Sequence, residues 1–383
     1  MNIVGYIKQN KEASYLELPF NDVDGLIFSE LAYINFDLLV KDKKELKLSN
    51  IKDEELTDEV FEGSVDYKKN KVMLSLMKET PRYKDIKIRY VKRYFSKREI
   101  NQFLAMTLVL PDGTLFLSYR GTDTTLIGWK EDMHLAFNDT ILAQEQALTY
   151  ANYALRGKDT PFILAGHSKG GNLAFYTALN ISKEKLPNLI KAYSYDGPGF
   201  KDGIVNFPNY RQVVDKMVKF KTYNDVVGNL FANLRKYKVV RSPGLLLGGH
   251  DPFYWQVNPR TNDFKYAKDI SRGSKKYSKR VMRWVESLTY EDRELMTDAL
   301  FSVFGKNATI YDLYRNFVRN LRDLKKAMKR YTKVERKRLK AILKRLFGFI
   351  FNTKSVRGIK RKQAILEIEM MSKKEKKEKL DTK

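Results

Sequence analysis

Short apolar runs and longer helical stripes alternate through the middle of the chain. From Ile86 the stretches IKIRYVKRYF, FLAMTLVL and TLFLSYR are rich in β-branched and aromatic residues, and the last two are separated by Pro111, Asp112 and Gly113. This texture predicts strand, strand, turn, strand. Helical spacing follows at Trp129 to Phe137 and at Leu142 to Leu155, the second closed by Gly157. The run FILAG at 162–166, the helix-like NLAFYTALN, and strand-like runs at 190–195 and 217–223 continue the alternation. Alternating strand and helix signals predict a mostly parallel sheet covered on both faces.

The flanks read differently. Val23 to Val40 is an apolar, helix-like stretch, and 41–63 is a charged connector without a strong period, so residues 1–85 are expected to cover the core that spans 86–310. Beyond about residue 275 helix signals take over: Thr289 with Asp292 resembles a capping box, Gly305 suits a helix C-cap, and Tyr314, Phe317, Val318, Leu321 and Leu324 form a stripe. Leu339, Ile342, Leu343, Leu346, Phe347 and Ile350 then share one face of a helix whose other face is Lys and Arg. Residues 311–383 are therefore expected to form a basic helical extension, ending in the low-complexity SKKEKKEKLDTK, for which a frayed end is expected.

Charge sharpens this division. The 383 residues carry a formal net charge of +26; residues 256–383 hold 36 Lys and Arg against 15 Asp and Glu, whereas 1–255 hold 36 against 31. The excess is a C-terminal property. Zero cysteines exclude disulfides and thiolate metal sites, and three histidines are too few for most His-built zinc sites, so neither a metal nor another cofactor is expected. The N-terminus lacks a charged leader before an apolar run, and no stretch approaches the roughly 18 apolar residues of a spanning helix. The expected location is cytoplasmic, with a membrane surface within reach of the basic end.

Candidate chemistry centres on Gly166, His167, Ser168, Lys169, Gly170 and Gly171, a GxSxG pattern directly after an apolar strand and directly before a helix. A tight strand-to-helix turn lifts a serine Oγ clear of the backbone, the glycines permit close packing, and the helix N-terminus offers free N–H groups to a developing oxyanion. Ser168 is thus the expected nucleophile, in an elbow formed with Gly166, His167 and Gly170. Its base must be a histidine. His167 should point away from the reacting face and His134 lies in a helix-like segment before the nucleophile, which leaves His250, in the Gly-rich GLLLGGHDPFYW.

The acid should come from a loop between Ser168 and His250. Asp225 follows the strand-like MVKFKTY, and Asp196 in YSYDGPGF is its rival at another strand end. Chain order favours Asp225. Asp251, next to His250, suits a cap or a turn. An oxyanion hole needs two N–H donors: the backbone of Lys169 is one, and Thr122 in SYRGTDT fits the other, its hydroxyl fixing the loop.

Together SYRGTD, Trp129 with Asp132, GHSKGGNLA, SYDGPGF, Asn224 with Asp225, and HDPFYW resemble the class 3 lipase-like branch of the α/β-hydrolases, in particular a bacterial family of lipase-like proteins. The resemblance covers about residues 20–310. It implies an α/β-hydrolase fold and carries the oxyanion donor, nucleophile, acid and base onto Thr122, Ser168, Asp225 and His250. The chain departs from the pattern at Lys169, where such lipases usually have Leu, and in lacking disulfides and a secretion signal.

The expected function is hydrolysis of a carboxylic ester, a lipid acyl ester in particular, through an acyl-enzyme on Ser168. The rivals are acyl transfer on the same triad and a catalytically silent lipase-like module that binds membrane. The basic helix around 331–351 fits anionic lipid, or a solvated face, better than nucleic acid, for which the sequence has no fold signature.

Overall fold

The computed structural model describes residues 1–302 except 42, 65, 158, 202, 232, 233, 235, 245 and 246, together with 328–351. Its centre is a nine-stranded sheet. The strands are β1 (Glu45–Lys47), β2 (Lys87–Ser96), β3 (Asn101–Val109), β4 (Leu115–Tyr119), β5 (Phe162–His167), β6 (Leu189–Tyr195), β7 (Met217–Thr222) and β8 (Lys238–Val240). A small hairpin of β9 (Val257–Asn258) and β10 (Asp263–Phe264) precedes β11 (Tyr266–Ala267), which closes the far edge of the sheet against β8. Spatial order follows chain order, antiparallel from β1 to β4 and parallel from β4 to β8.

The helices are α1 (Ile3–Gln9), α2 (Asp22–Leu31), α3 (Asp37–Val40), α4 (Tyr67–Glu79), α5 (Leu126–Phe137), α6 (Leu142–Ala154), α7 (Lys169–Asn180), α8 (Tyr210–Val213), α9 (Leu247–His250), α10 (Arg272–Glu286), α11 (Tyr290–Ser302) and α12 (Lys333–Phe351). A mixed sheet whose parallel strands are flanked by helices in this way is an α/β-hydrolase fold.

Side-chain alternation along the central strands assigns the two layers. On β4 and β5, Phe116, Ile163 and Ala165 face a core built with Tyr6, Val23, Ile27, Phe28, Leu31, Met73 and Met77 of the N-terminal helices. Leu115, Leu117, Tyr119, Phe162 and Leu164 face the opposite core, under Ala147, Ala151, Leu173 and Leu179 of α6 and α7. Hydrogen bonds from Ser118 Oγ to the Phe28 carbonyl (2.9 Å) and from Tyr195 OH to the Asp22 carbonyl (2.8 Å) tie α2 to the sheet.

Several elements differ from the sequence reading. Val23 to Val40 is broken: α2 ends at Leu31, and Asn35 in the gap donates to the carbonyls of Glu59 (2.9 Å) and Glu62 (3.1 Å) before α3 begins. The connector at 41–63 contains β1 and three short 3-10 turns, because pairing with β2 supplies hydrogen bonds that its own sequence does not signal. Helix α4, with buried Asn70, Met73, Leu74 and Met77, was not foreseen either. The capping box at the start of α11 is present, with Asp292 N–H donating to Thr289 Oγ1 (3.2 Å) and Thr289 N–H donating to Asp292 Oδ2 (3.4 Å). Gly305, the stripe from Tyr314 to Leu324 and the SKKEKKEKLDTK tail lie outside the described residues, as do the side chains of Leu346, Phe347 and Ile350.

Helix α12 packs on the body: Ile342 joins Phe137, Trp284, Val285, Leu288 and Met296 in one cluster, and Leu339 joins Ala299 and Met328 in another. Among the described residues no helix is long and apolar enough to cross a membrane.

Candidate active site

Ser168 stands between β5 and α7 with φ 57° and ψ −130°, a conformation that a residue bearing a Cβ adopts only when its surroundings impose it. The surroundings here are glycines and backbone. A Cβ on Gly166 would come within 2.2 Å of the Gly170 carbonyl carbon, and one on Gly170 within 2.0 Å of the Tyr119 carbonyl oxygen. The turn closes with Ser168 N–H donating to Tyr195 O (2.9 Å) and Gly171 N–H donating to Ser168 O (2.9 Å). The hydroxyl therefore rides on a rigid elbow at the C-terminal edge of the parallel strands. The N–H of Lys169 is the first of α7 and belongs to the group that has no partner within the helix.

His167 has a structural place. Alternation from Ile163 and Ala165 turns its ring toward the N-terminal layer, where Nε2 donates to the His250 carbonyl (2.9 Å) and Nδ1 accepts from Tyr33 OH (3.2 Å). Burial holds its pKa well below the ordinary value, so the ring is neutral and anchors the backbone of the next histidine. His134, on α5, lies 4.0 Å from Glu294 on the far helix layer.

His250 ends the short helix α9. Its Nδ1 lies 2.8 Å from Asp196 Oδ2 and 3.7 Å from Asp225 Oδ2, leaving Nε2 for proton exchange. The two carboxylates are fully buried and come from the ends of adjacent parallel strands, β6 and β7. Both positions considered in the sequence are thus brought to one imidazole, and the shorter contact is with Asp196. Asp196 has φ 53° and is further held by Thr222, whose N–H (3.2 Å) and hydroxyl (3.3 Å) donate to it. Asp225 accepts from Gly228 N–H (3.2 Å), and its Oδ1 has no partner among the described residues. Asp251 caps the next turn through Phe253 N–H (2.9 Å).

The electrostatics follow from two carboxylates facing one ring. Burial disfavours the charged imidazole, but Asp225 and Asp196 together outweigh it and raise the His250 pKa to about 9. Burial raises the Asp225 pKa, and the neighbouring Asp196 raises it further. Asp196 is lowered instead, because its hydrogen bond with His250 overcomes the cost of burial.

Two lysines that the sequence reading passed over stand behind this cluster. Lys219 is buried on β7 and donates to Ser194 Oγ (3.2 Å) and to the Gly197 carbonyl, beside the Asp196 turn; burial lowers its pKa to about 7. Lys221 lies 4.1 Å from the centre of the Tyr237 ring, and burial lowers it to about 8. A lysine inside an apolar parallel strand was the available signal.

Thr122 follows β4, and its hydroxyl donates to Asp132 Oδ1 at 2.7 Å. Burial pushes Asp132 up to about 6, against the opposing pull of Lys169. The Lys169 side chain is buried as well, with Nζ donating to the Gln102 carbonyl (2.9 Å) and to Glu131. Neither Gln102 nor Glu131 carried a sequence signal of its own.

Asp196, Asp225 and His250 could present one ligand atom each within 4.8 Å of one another, which is also a geometry open to a metal ion. The 2.8 Å contact from Nδ1 to a carboxylate is what an imidazole working as a base requires.

Among solved structures, M37 lipase is 15% identical to this chain, with a TM-score of 0.34, covering 55% of this chain and 69% of that one. A triacylglycerol lipase described as having a catalytic centre formed by a serine protease triad is 14% identical, with a TM-score of 0.35, covering 57% of this chain and 78% of that one. No curated protein matches the sequence. The family model described as Mbeg1-like matches residues 77–302, more than half of the chain, and the protein belongs to the Mbeg1-like family.

Proposed function

We propose that the protein is a serine hydrolase of the class 3 lipase type that cleaves a carboxylic ester, a lipid acyl ester in particular, through an acyl-enzyme on Ser168. The observation that carries this reading is a strained elbow serine next in sequence to His167, whose ring lies 4.5 Å from that of His250, while His250 Nδ1 lies 2.8 Å from a buried carboxylate. Ser168 Oγ attacks the acyl carbon and passes its proton to His250 Nε2. Asp196, with Asp225 next to it, stabilises the imidazolium and fixes its tautomer. The N–H groups of Lys169 and Thr122 receive the oxyanion. Collapse returns the proton to the leaving alkoxide, and water, deprotonated by the same imidazole, releases the acid. Every step uses side chains or backbone N–H groups of this chain together with water, and none calls on a metal or organic cofactor. The basic helices α10 and α12 give the protein a cationic face with which to meet the anionic surface of a lipid substrate.

A fluorophosphonate probe tests the reading, since an activated serine attacks it with the same geometry that serves an ester. Labelling of the parent chain and loss of the label in Ser168→Ala are expected. Equal labelling of both chains would remove Ser168 from the mechanism.

A further inference from the structure

The two donors proposed for the oxyanion belong to separate parts of the chain, the start of α7 and the loop after β4. A hole assembled from two elements works only while their separation holds, because small displacements of a donor cost rate steeply.

The side chains around them close a ring. Lys169 is 1% exposed, and its ammonium bonds the Gln102 carbonyl at 2.9 Å and the carboxylate of Glu131, itself 1% exposed. Gln102, at the start of β3, also accepts the Asp123 N–H on its Oε1 (3.2 Å) and donates from Nε2 to Thr125 Oγ1 (3.4 Å). One residue thus holds both Lys169 and the segment just after Thr122. Glu131 accepts the Gln102 N–H (3.4 Å) and is followed on α5 by Asp132, which takes the Thr122 hydroxyl at 2.7 Å. Two routes therefore run from the Lys169 ammonium to Thr122, one through Gln102 and Asp123, the other through Glu131 and Asp132.

We propose that the buried Lys169–Glu131 pair is a positioning device that sets the spacing between the backbone N–H groups of Lys169 and Thr122. This rests on the reading of Ser168 as the nucleophile. A buried ion pair is a poor source of stability compared with apolar residues of similar volume, and an apolar side chain at 169 would fill the same space. What an apolar side chain lacks is direction: it makes no bond to the Gln102 carbonyl and none to α5, so the α7 terminus and the Thr122 loop lose their common tether.

The test compares the parent with the double variant Lys169→Met, Glu131→Met, which removes both charges of the pair together. Fluorophosphonate titration comes first. A parent chain that is not labelled at Ser168 overturns the underlying reading and this inference with it. With labelling established, the double variant is expected to melt at or above the parent temperature and to keep KM for a p-nitrophenyl ester within about twofold. Its kcat per labelled site should fall by about 10- to 100-fold, the loss that a donor displaced by about an ångström produces. Affinity for a boronic acid that mimics the tetrahedral state should fall by the same factor. A folded double variant whose kcat per site and boronic acid affinity equal those of the parent overturns the proposal and leaves the pair a packing feature. If that variant does not fold, Lys169→Met with Glu131→Gln, which also removes both charges of the pair and keeps an acceptor for the Gln102 N–H, is judged by the same criteria.

Discussion

Two buried clusters of charge differ in how completely their groups are satisfied. Under the N-terminal layer, Asp24 and Arg82 are fully buried and paired. Asp24 Oδ1 accepts from Tyr83 OH (2.7 Å), Arg82 Nε (3.1 Å) and Tyr6 OH (3.4 Å), and Oδ2 accepts from Asn21 N–H (3.1 Å) and the guanidinium. The remaining Arg82 donors reach the carbonyls of Ser14, Leu18 and Pro19. At the strand ends, by contrast, two carboxylates face one imidazole, Asp225 Oδ1 has no partner among the described residues, and Asp196 is held at φ 53°. The first cluster minimises the cost of buried charge, as a structural device should. The second retains strain and excess negative charge, the pattern expected where protons are moved.

The comparison is sharpened most by the carboxylates themselves. If Asp196 is the group that fixes His250, Asp196→Asn should lower kcat on the order of 10³ to 10⁴, because an amide stabilises the wrong tautomer and cannot balance the imidazolium. Asp225→Asn should cost on the order of tenfold or less, since its Oδ2 stands 3.7 Å from Nδ1 and the 2.8 Å contact with Asp196 is kept. Steady-state rates per fluorophosphonate-labelled site decide between them. A larger loss at Asp225 would return the acid's role to the residue that chain order favours. At the other cluster, Arg82→Met should destabilise the fold by about 3–5 kcal/mol by leaving Asp24 buried and alone, with kcat per labelled site unchanged. Urea unfolding with active-site titration measures both quantities, and a change in kcat per site would break the division between structural and catalytic charge.

The titration of His250 gives a smaller effect of definite sign. Its folded pKa of about 9 lies above the ordinary 6.5, so the stability gained from its charge is fully present below pH 6.5 and is lost as pH rises through about 9. Catalysis runs the other way, because only the neutral ring accepts the serine proton, and kcat/KM should climb with pH up to about 9. Asp225 is the largest force favouring the proton on His250, so Asp225→Asn should move that inflection to lower pH. A profile of kcat/KM against pH for parent and variant reads the shift; an unchanged inflection would mean that Asp225 is electrically silent.

How much of this was legible depended on how local each signal is. The elbow could be read because its strand, turn and helix are contiguous from Phe162 to Asn180, and the strands of the parallel core could be read because each is a short apolar run. The N-terminal layer was legible only in part: α2 has an apolar pattern, but β1 is three residues long and exists through its pairing with β2. The choice between Asp196 and Asp225 was not legible, since both follow a strand and only the packing of α9 decides which one meets Nδ1. Lys169 stood out as a departure from the lipase pattern, yet its partner Glu131 lies 38 residues away, and nothing in the sequence joins them.

Exposed charge completes the comparison with the buried clusters. On α10 the exposed residues Arg272, Lys276, Lys279 and Arg283, and on α12 Lys333, Lys337, Lys340 and Lys344, repeat the same spacing of four, three and four, so each set lines one helix face. Deleting α12 would not test what these stripes do, because Ile342 and Leu339 are buried against the body and their loss would open its core. Replacing the lysines of one stripe by Gln keeps the packing and removes only charge. If the stripes hold the protein on anionic lipid, each replacement should weaken attachment by about 1 kcal/mol, less at high salt because the attraction decays within a Debye length. Turnover of a short soluble ester should not change, since none of the stripe residues is among the groups proposed for catalysis. Co-sedimentation of the parent and the Gln-substituted chains with phosphatidylserine vesicles, at low and at high salt, measures this. Equal sedimentation would make both stripes solvated faces, and a salt-sensitive preference for nucleic acid over vesicles would assign them a different anion.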